Sequence, residues 1–200
     1  MIDKLKDNEK TIATNLIKDG LDNASGALQM ILNSPISIKK IEFGIDVLKE
    51  NKRFDEDSSM KFHVLRTELM GELEGVCHLI FTDEEVEKIN LACLPQDLAE
   101  KAPEEYNLLR HGFITEIDNM VSAAVITQFS NFLNMSMYGN VPSLHIMPAK
   151  EVTEYLDMEA SKFAAVVHFK AMFEGEELNI SPDFTWMVHE KFLSKIKELA

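Results

Sequence analysis

The chain has 200 residues, 46% of them hydrophobic, and a formal net charge of −14. This is apolar material for one sizeable core, and the acidity weighs against nucleic acid and anionic membranes as partners, since like charges repel within a Debye length. The opening MIDKLKDNEK is too polar for a signal peptide, and no apolar run approaches the ~20 residues of a membrane helix. Cys77 and Cys93 sit in apolar segments without CxxC spacing, which reads as two reduced thiols in a cytoplasmic protein.

Taken in order, Ile12, Leu16, Ala24, Ala27, Leu28, Ile31 and Leu32 recur at helical spacing and predict a helix over 4–33, ended by Pro35. Gly20 and Gly26 weaken it by about 1 kcal/mol each relative to Ala. ISIKKIEF (36–43) alternates as a strand does, IDVLKE (45–50) is open between helix and strand, and the charged run 49–60 reads as loop. KFHVLRTELM (61–70) and VCHLIF (76–81) predict two strands of a hairpin closed by GELEG. Thr82 with Glu85 makes a capping box that opens a helix, and Pro95 stops it.

Pro103, followed by Glu104 and Glu105, suits the first turn of a second long helix that runs to about Leu133. MSMYG and SLHIM (136–147) are expected as short strands, AKEVTEYLDM (149–158) as a short helix and KFAAVVHFKAMF (162–173) as a long strand. After an EGEE turn, LNISPDFTWM (178–187) predicts a strand in which Pro182 suggests an edge or a bulge, and VHEKFLSKIKEL closes the chain as a helix.

The two halves, about 1–100 and 101–200, share one element order. At an offset of 101 the long helices also superpose: Leu16 falls on Ile117, Leu28 on Phe129, Leu32 on Leu133 and Asn33 on Asn134. Neither half has much core alone, so the expected architecture is a single α+β domain over 1–200. In it two long helices pack on an antiparallel β-sheet with pseudo-twofold symmetry, from an internally duplicated unit.

At roughly 100° per residue, Phe113, Ile117, Met120, Val121, Ala124 and Phe132 form the expected core stripe of the second long helix. Gly112, Glu116, Asn119, Ala123, Ile126 and Ser130 fall on another flank. There Glu116 and Asn119, three residues apart, stand among mostly small neighbours and are reachable by a partner surface.

Glu116, Ile117, Asp118 and Asn119, with Pro142 after twenty-two further residues, resemble the motif of the CheC, CheX and FliY phosphatases of bacterial chemotaxis. That motif runs Asp or Ser, three residues, Glu, two residues, Asn, twenty-two residues, Pro. Gly112 departs from it at the Asp/Ser position. EIDNMVSAAVITQFSNFLN is similar to the family's helix, and GELEGVCHLIFTDEEVEKI resembles its strand–turn–strand–helix segment. The resemblance implies a CheC-like fold and hydrolysis of the aspartyl phosphate on a CheY-like response regulator, as part of two-component signalling. Asn119 would orient the attacking water and Glu116 would dock on the regulator's active-site lysine. The Mg²⁺ would belong to the regulator, leaving this chain without a cofactor of its own, and Pro142 would brace the strand beside the helix.

An amide suits that work. It accepts from water, donates to a phosphoryl oxygen and stays neutral, whereas a carboxylate beside a phosphoryl group is electrostatically costly. In the first half the offset puts Asn15, Lys18 and Ile41 at the motif positions, and a local alternative uses Gly20, Asn23 and Asp46. Neither supplies a Glu, so one site is expected, in the second half.

Two other readings stand beside this one. One is a non-catalytic adaptor of the same fold, binding a response regulator or a CheD-type deamidase. The other is a homodimeric module whose long helices pack together. The six histidines show no HxxxH or HExxH spacing, with His78 and His168 expected to project from strands. No phosphate-binding glycine loop or GxSxG elbow occurs, and Trp186 is expected in the core.

Overall fold

A computed structural model describes residues 5–44, 54, 60–163 and 166–200. The elements follow as α1 (Asp7–Leu32), β1 (Ser37–Gly44), β2 (Lys61–Gly71), β3 (Gly75–Thr82), α2 (Asp83–Cys93), α3 (Asp97–Lys101), α4 (Pro103–Leu133), β4 (Met137–Gly139), β5 (Ser143–Pro148), α5 (Ala149–Ser161), β6 (Val166–Glu174), β7 (Asp183–His189) and α6 (Lys191–Leu199). IDVLKE and nearly all of 49–60 lie outside the described residues.

Local chemistry accounts for the boundaries. The Glu85 backbone N–H donates to the Thr82 hydroxyl and the Thr82 N–H donates to the Glu85 carboxylate, so both halves of the predicted capping box are made. Pro103 occupies the first turn of α4, where its missing N–H leaves no helical bond unmade. Both long helices end on an asparagine in the left-handed region, Asn33 and Asn134, each at φ 48°. Gly71 turns the β2–β3 hairpin at φ 111°, and a Cβ there would fall 2.3 Å from the Ser136 carbonyl oxygen.

The strands form one seven-stranded sheet in the order β1-β6-β7-β3-β2, with β4 and β5 both pairing the outer side of β2. Exchange of the halves sends β1 to β5, β2 to β6 and β3 to β7, and the order is unchanged. β7 is therefore central, paired with both β3 and β6. Pro182 precedes it rather than marking an edge or bulge, because the strand starts only at Asp183. Residues 175–180 are instead a turn, with Asn179 at φ 49°. The single-turn α3 falls where no element was expected.

One face of the sheet carries the main core. Leu65, Leu79, Phe169, Phe184 and Trp186 are buried there against α1 and α4, with α2 and α6 at the flanks. Phe129 of α4 lies 4.6 Å from the Trp186 ring and 5.8 Å from that of Phe192. Aromatic side chains this deeply buried each contribute about 1.5–3 kcal/mol. The opposite face holds a smaller apolar cluster under α5, around Phe62, Val64, Ile80, Val152 and Leu156.

A polar row crosses the sheet on that second face: Glu42, Lys170, Thr185, His78, Arg66 and Ser143 stand opposite one another on successive strands. Arg66 Nε donates to the buried Glu159 of α5 at 2.9 Å. His78 and His168 are both buried on this face, the His78 ring 5.8 Å from that of Tyr155 of α5. Burial pushes the His78 imidazole down to about 3, so it is neutral at physiological pH.

Candidate functional site

The buried side of α4 reads Ile114, Ile117, Asp118, Val121, Ser122, Val125, Ile126, Phe129 and Leu133. This is rotated from the stripe expected from sequence. Phe132 is 41% exposed and Phe113 half-buried, while Ile126 turns inward against Thr67 and the tip of β4 at Gly139. The rotation follows from the packing of α4 against α1 as well as the sheet, which widens its apolar face.

Gly112, Glu116, Asn119 and Ala123 all lie on the open side. Asn119 Nδ2 donates to Glu116 Oε2 at 3.4 Å, a long bond that leaves both groups free to rearrange on a partner. A Cβ built on Gly112 would meet nothing within 4 Å, so the open face continues one turn before Glu116. Beyond it Leu108, at 74% exposed, and Leu109 present bare hydrocarbon to solvent. Arg110 is drawn to the side by an ion pair with Glu87 of α2 and lies over the Tyr106 ring. Pro142 stands in the turn between β4 and β5. Asn140 fixes that turn, donating its N–H to the Glu68 carbonyl at 2.8 Å.

On α1 the equivalent side carries Asn15, Lys18 and Asn23, all exposed, while Gly20 is buried. Asn23 Nδ2 donates across to Gln128 of α4 at 3.3 Å. The alternative first-half position Asp46 lies outside the described residues.

Sequence reasoning passed over Asp118. Its side chain is 0% exposed and accepts from the Thr67 hydroxyl of β2 at 2.7 Å, while its second oxygen has no partner. Burial pushes its carboxyl up to about 7, against a smaller opposing effect of the Thr67 hydroxyl. The signal was present: Ile114, Asp118, Val121 and Val125 keep the helical core period.

Among the described residues no group of three or more His, Cys, Asp or Glu could hold a metal ion, and no helix is long and apolar enough to cross a membrane. The arrangement offers an amide and a carboxylate side by side on a convex helix face, a geometry suited to entering another macromolecule's cleft.

No family model matches the sequence, and none of the curated proteins matches it. Solved structures do match. FliY of Thermotoga maritima superposes with a TM-score of 0.60 at 18% identity, over 98% of this chain and 96% of that one. CheX from Borrelia burgdorferi, solved as a complex with CheY, BeF3 and Mg²⁺, gives 0.57 at 14% identity over 87% of this chain and 97% of its own. CheX from Desulfovibrio desulfuricans gives 0.57 at 12% identity over 88% and 99%. At these identities the likeness is one of architecture, and the chain carries the fold of the FliY and CheX chemotaxis proteins.

Proposed function

We propose that this protein serves in chemotaxis by docking α4 on a CheY-like response regulator and hydrolysing its aspartyl phosphate. Asn119 orients the attacking water, and Glu116 pairs with a cation of the regulator and sets the register. The observation that carries the reading is the side-by-side exposure of Glu116 and Asn119 on a fold that CheX, a protein captured on CheY, also has.

Phosphoryl hydrolysis asks for an in-line water and stabilisation of spread charge more than for covalent chemistry. A neutral amide that both donates and accepts meets the first need. The Mg²⁺ that answers the second comes with the regulator. A convex site has no use for a deep pocket, because the cleft is the partner's.

The test is phosphate release from phosphorylated CheY-like regulators of the same cell. Asn119→Ala is expected to remove most of the acceleration, and Glu116→Ala to raise the concentration needed for half of it. Equal rates from native protein and Asn119→Ala would sink the reading. Gly112 favours a second reading, an adaptor that binds the regulator or a CheD-type deamidase without hydrolysis, since no side chain stands at the first motif position. Tight binding of the phosphorylated regulator with no added phosphate release would identify that case.

A further inference from the structure

The half of the chain that carries Glu116 and Asn119 also carries a buried polar contact that its counterpart lacks. On α1 the position equivalent to Asp118 is Ile17, 2% exposed, and the position equivalent to Ser122 is Leu21, 3% exposed. The fold therefore accepts plain hydrocarbon at these two places. On α4 they hold a carboxylic acid and a hydroxyl, and burying a carboxyl that has one unpartnered oxygen costs stability.

The acid lies directly under the site. Asp118 separates Ile117 from Asn119 in sequence, and its side chain points inward where those of Glu116 and Asn119 point outward. The Thr67 hydroxyl donates to its Oδ2 at 2.7 Å, and the Ser122 hydroxyl donates to its backbone carbonyl at 2.6 Å. Ser122 Oγ is also 3.4 Å from the Asn119 carbonyl. One turn of helix is thus fastened to β2 at the residue between the two exposed groups.

We propose that Asp118 is the positioning residue of the Glu116–Asn119 pair: its buried carboxyl, held by Thr67, fixes the rotation and depth of this turn and so aims both side chains at the partner. The proposal rests on the docking role given to that pair. Ionisation of Asp118 places an uncompensated charge in the core, which only outward movement of the turn toward water can relieve.

The groups around it offer no relief. Thr67 of β2 and Ser122 of α4 are neutral hydroxyls. Cys77 of β3, whose Sγ lies 3.6 Å from the Thr67 carbonyl, is a thiol kept protonated by burial. Arg66, a cation that acts on that thiol, projects from the opposite face of β2 to Glu159. α1 meets α4 through Gly20, against Val125 and Phe129, and β4 meets it through Gly139, against Ile126.

The test reads Asn119 itself. The side-chain amide resonance of Asn119 is followed by NMR from pH 5.5 to 8.5 in native protein, Asp118→Asn, Thr67→Val and Thr67→Ser. In native protein it is expected to titrate with a midpoint near 7. In Asp118→Asn, which keeps an oxygen acceptor for Thr67, it is expected to be flat. Thr67→Val shifts the midpoint and Thr67→Ser restores it, so the proposal stays testable if one variant folds poorly.

The protonated fraction falls about tenfold from pH 6 to pH 8. The native-to-Asp118→Asn ratio of dephosphorylation rates is expected to fall by as much, with the partner's own pH dependence cancelling. A flat Asn119 resonance in native protein, or the same titration in Asp118→Asn, overturns the proposal. Should Asn119→Ala leave phosphate release unchanged while the amide still titrates, the phosphatase reading fails and the coupling stands.

Discussion

Gly112 allows a sharp test of the open face. Gly112→Ala adds a Cβ in the interior of α4, and that Cβ would meet nothing within 4 Å. With no packing change, the effect reduces to helix propensity, a gain of about 1 kcal/mol. For a chain of 200 residues that raises Tm by about 2–4 °C. Gly112→Asp keeps part of that gain. It loses some to lower propensity and a few tenths of a kcal/mol to the like charge of Glu116 at i, i+4, so its Tm should sit between those of native protein and Gly112→Ala. Thermal unfolding followed by circular dichroism reads both. A fall in Tm for Gly112→Ala would mean that something covers this turn, and the exposed-site argument would fail with it. Because Gly112→Ser and Gly112→Asp complete the motif, both are also expected to speed phosphate release, and to do so only where Asn119 is intact.

Three further outcomes follow from particular contacts. Burial raises the Asp118 carboxyl from the ordinary 3.8 to about 7. Between pH ~4 and ~7 the native state therefore holds one proton more than the unfolded chain, and stability falls as pH rises, by roughly 4 kcal/mol across the window. Urea midpoints should lose this slope in Asp118→Asn, while the buried neutral His78 imposes the opposite slope as pH falls below ~6.5. Gly20→Ala should destabilise by about 1–2 kcal/mol despite better propensity. Its Cβ would fall 3.1 Å from Phe129 and 3.2 Å from Val125, where α1 and α4 meet. Leu108→Ser should leave Tm unchanged and weaken regulator binding by about tenfold in titration calorimetry, because a standard interface of ~800 Å² a side centred on Glu116 reaches two turns along α4.

Much of this was legible because local signals and tertiary packing agree. The capping box at Thr82, the proline at the start of α4 and the GELEG turn between β2 and β3 each name their element. The offset of 101 is legible at higher resolution than expected. Nine buried residues of α1, from Ala13 to Leu32, fall on the nine buried residues of α4 from Ile114 to Leu133, and Asn33 falls on Asn134, both in the left-handed region. Local signals mislead where partners distant in sequence decide. Pro182 looks like an edge residue until β7 is seen to begin after it, between β3 and β6. Phe132 looks like core, but α4 packs on a second helix and turns it out. Asp118 stood unremarked between Ile117 and Asn119. Periodicity put it inside, and only β2 supplies the hydroxyl that lets it remain there.

The symmetry of the fold turns the question of why one half is equipped into an experiment. α1 offers exposed Asn15 and Lys18 where α4 offers Glu116 and Asn119. Asn15→Glu with Lys18→Asn rebuilds the pair on α1 at solvent-exposed positions, where surface substitutions change stability by no more than about 0.5 kcal/mol. Made in the Asn119→Ala background, the transplant isolates what the pair does by itself. α1 has Ile17 in place of Asp118 and Asp7 in place of Leu108, so neither the buried fastening nor the bare leucine accompanies the pair. The expected result is a folded protein, with native Tm, that recovers less than about a tenth of the native phosphate release, since misplacement by about 1 Å costs on the order of 100-fold in such chemistry. Full recovery would show that an exposed Glu and Asn three residues apart suffice, and would leave Asp118 and Leu108 without a part in the site.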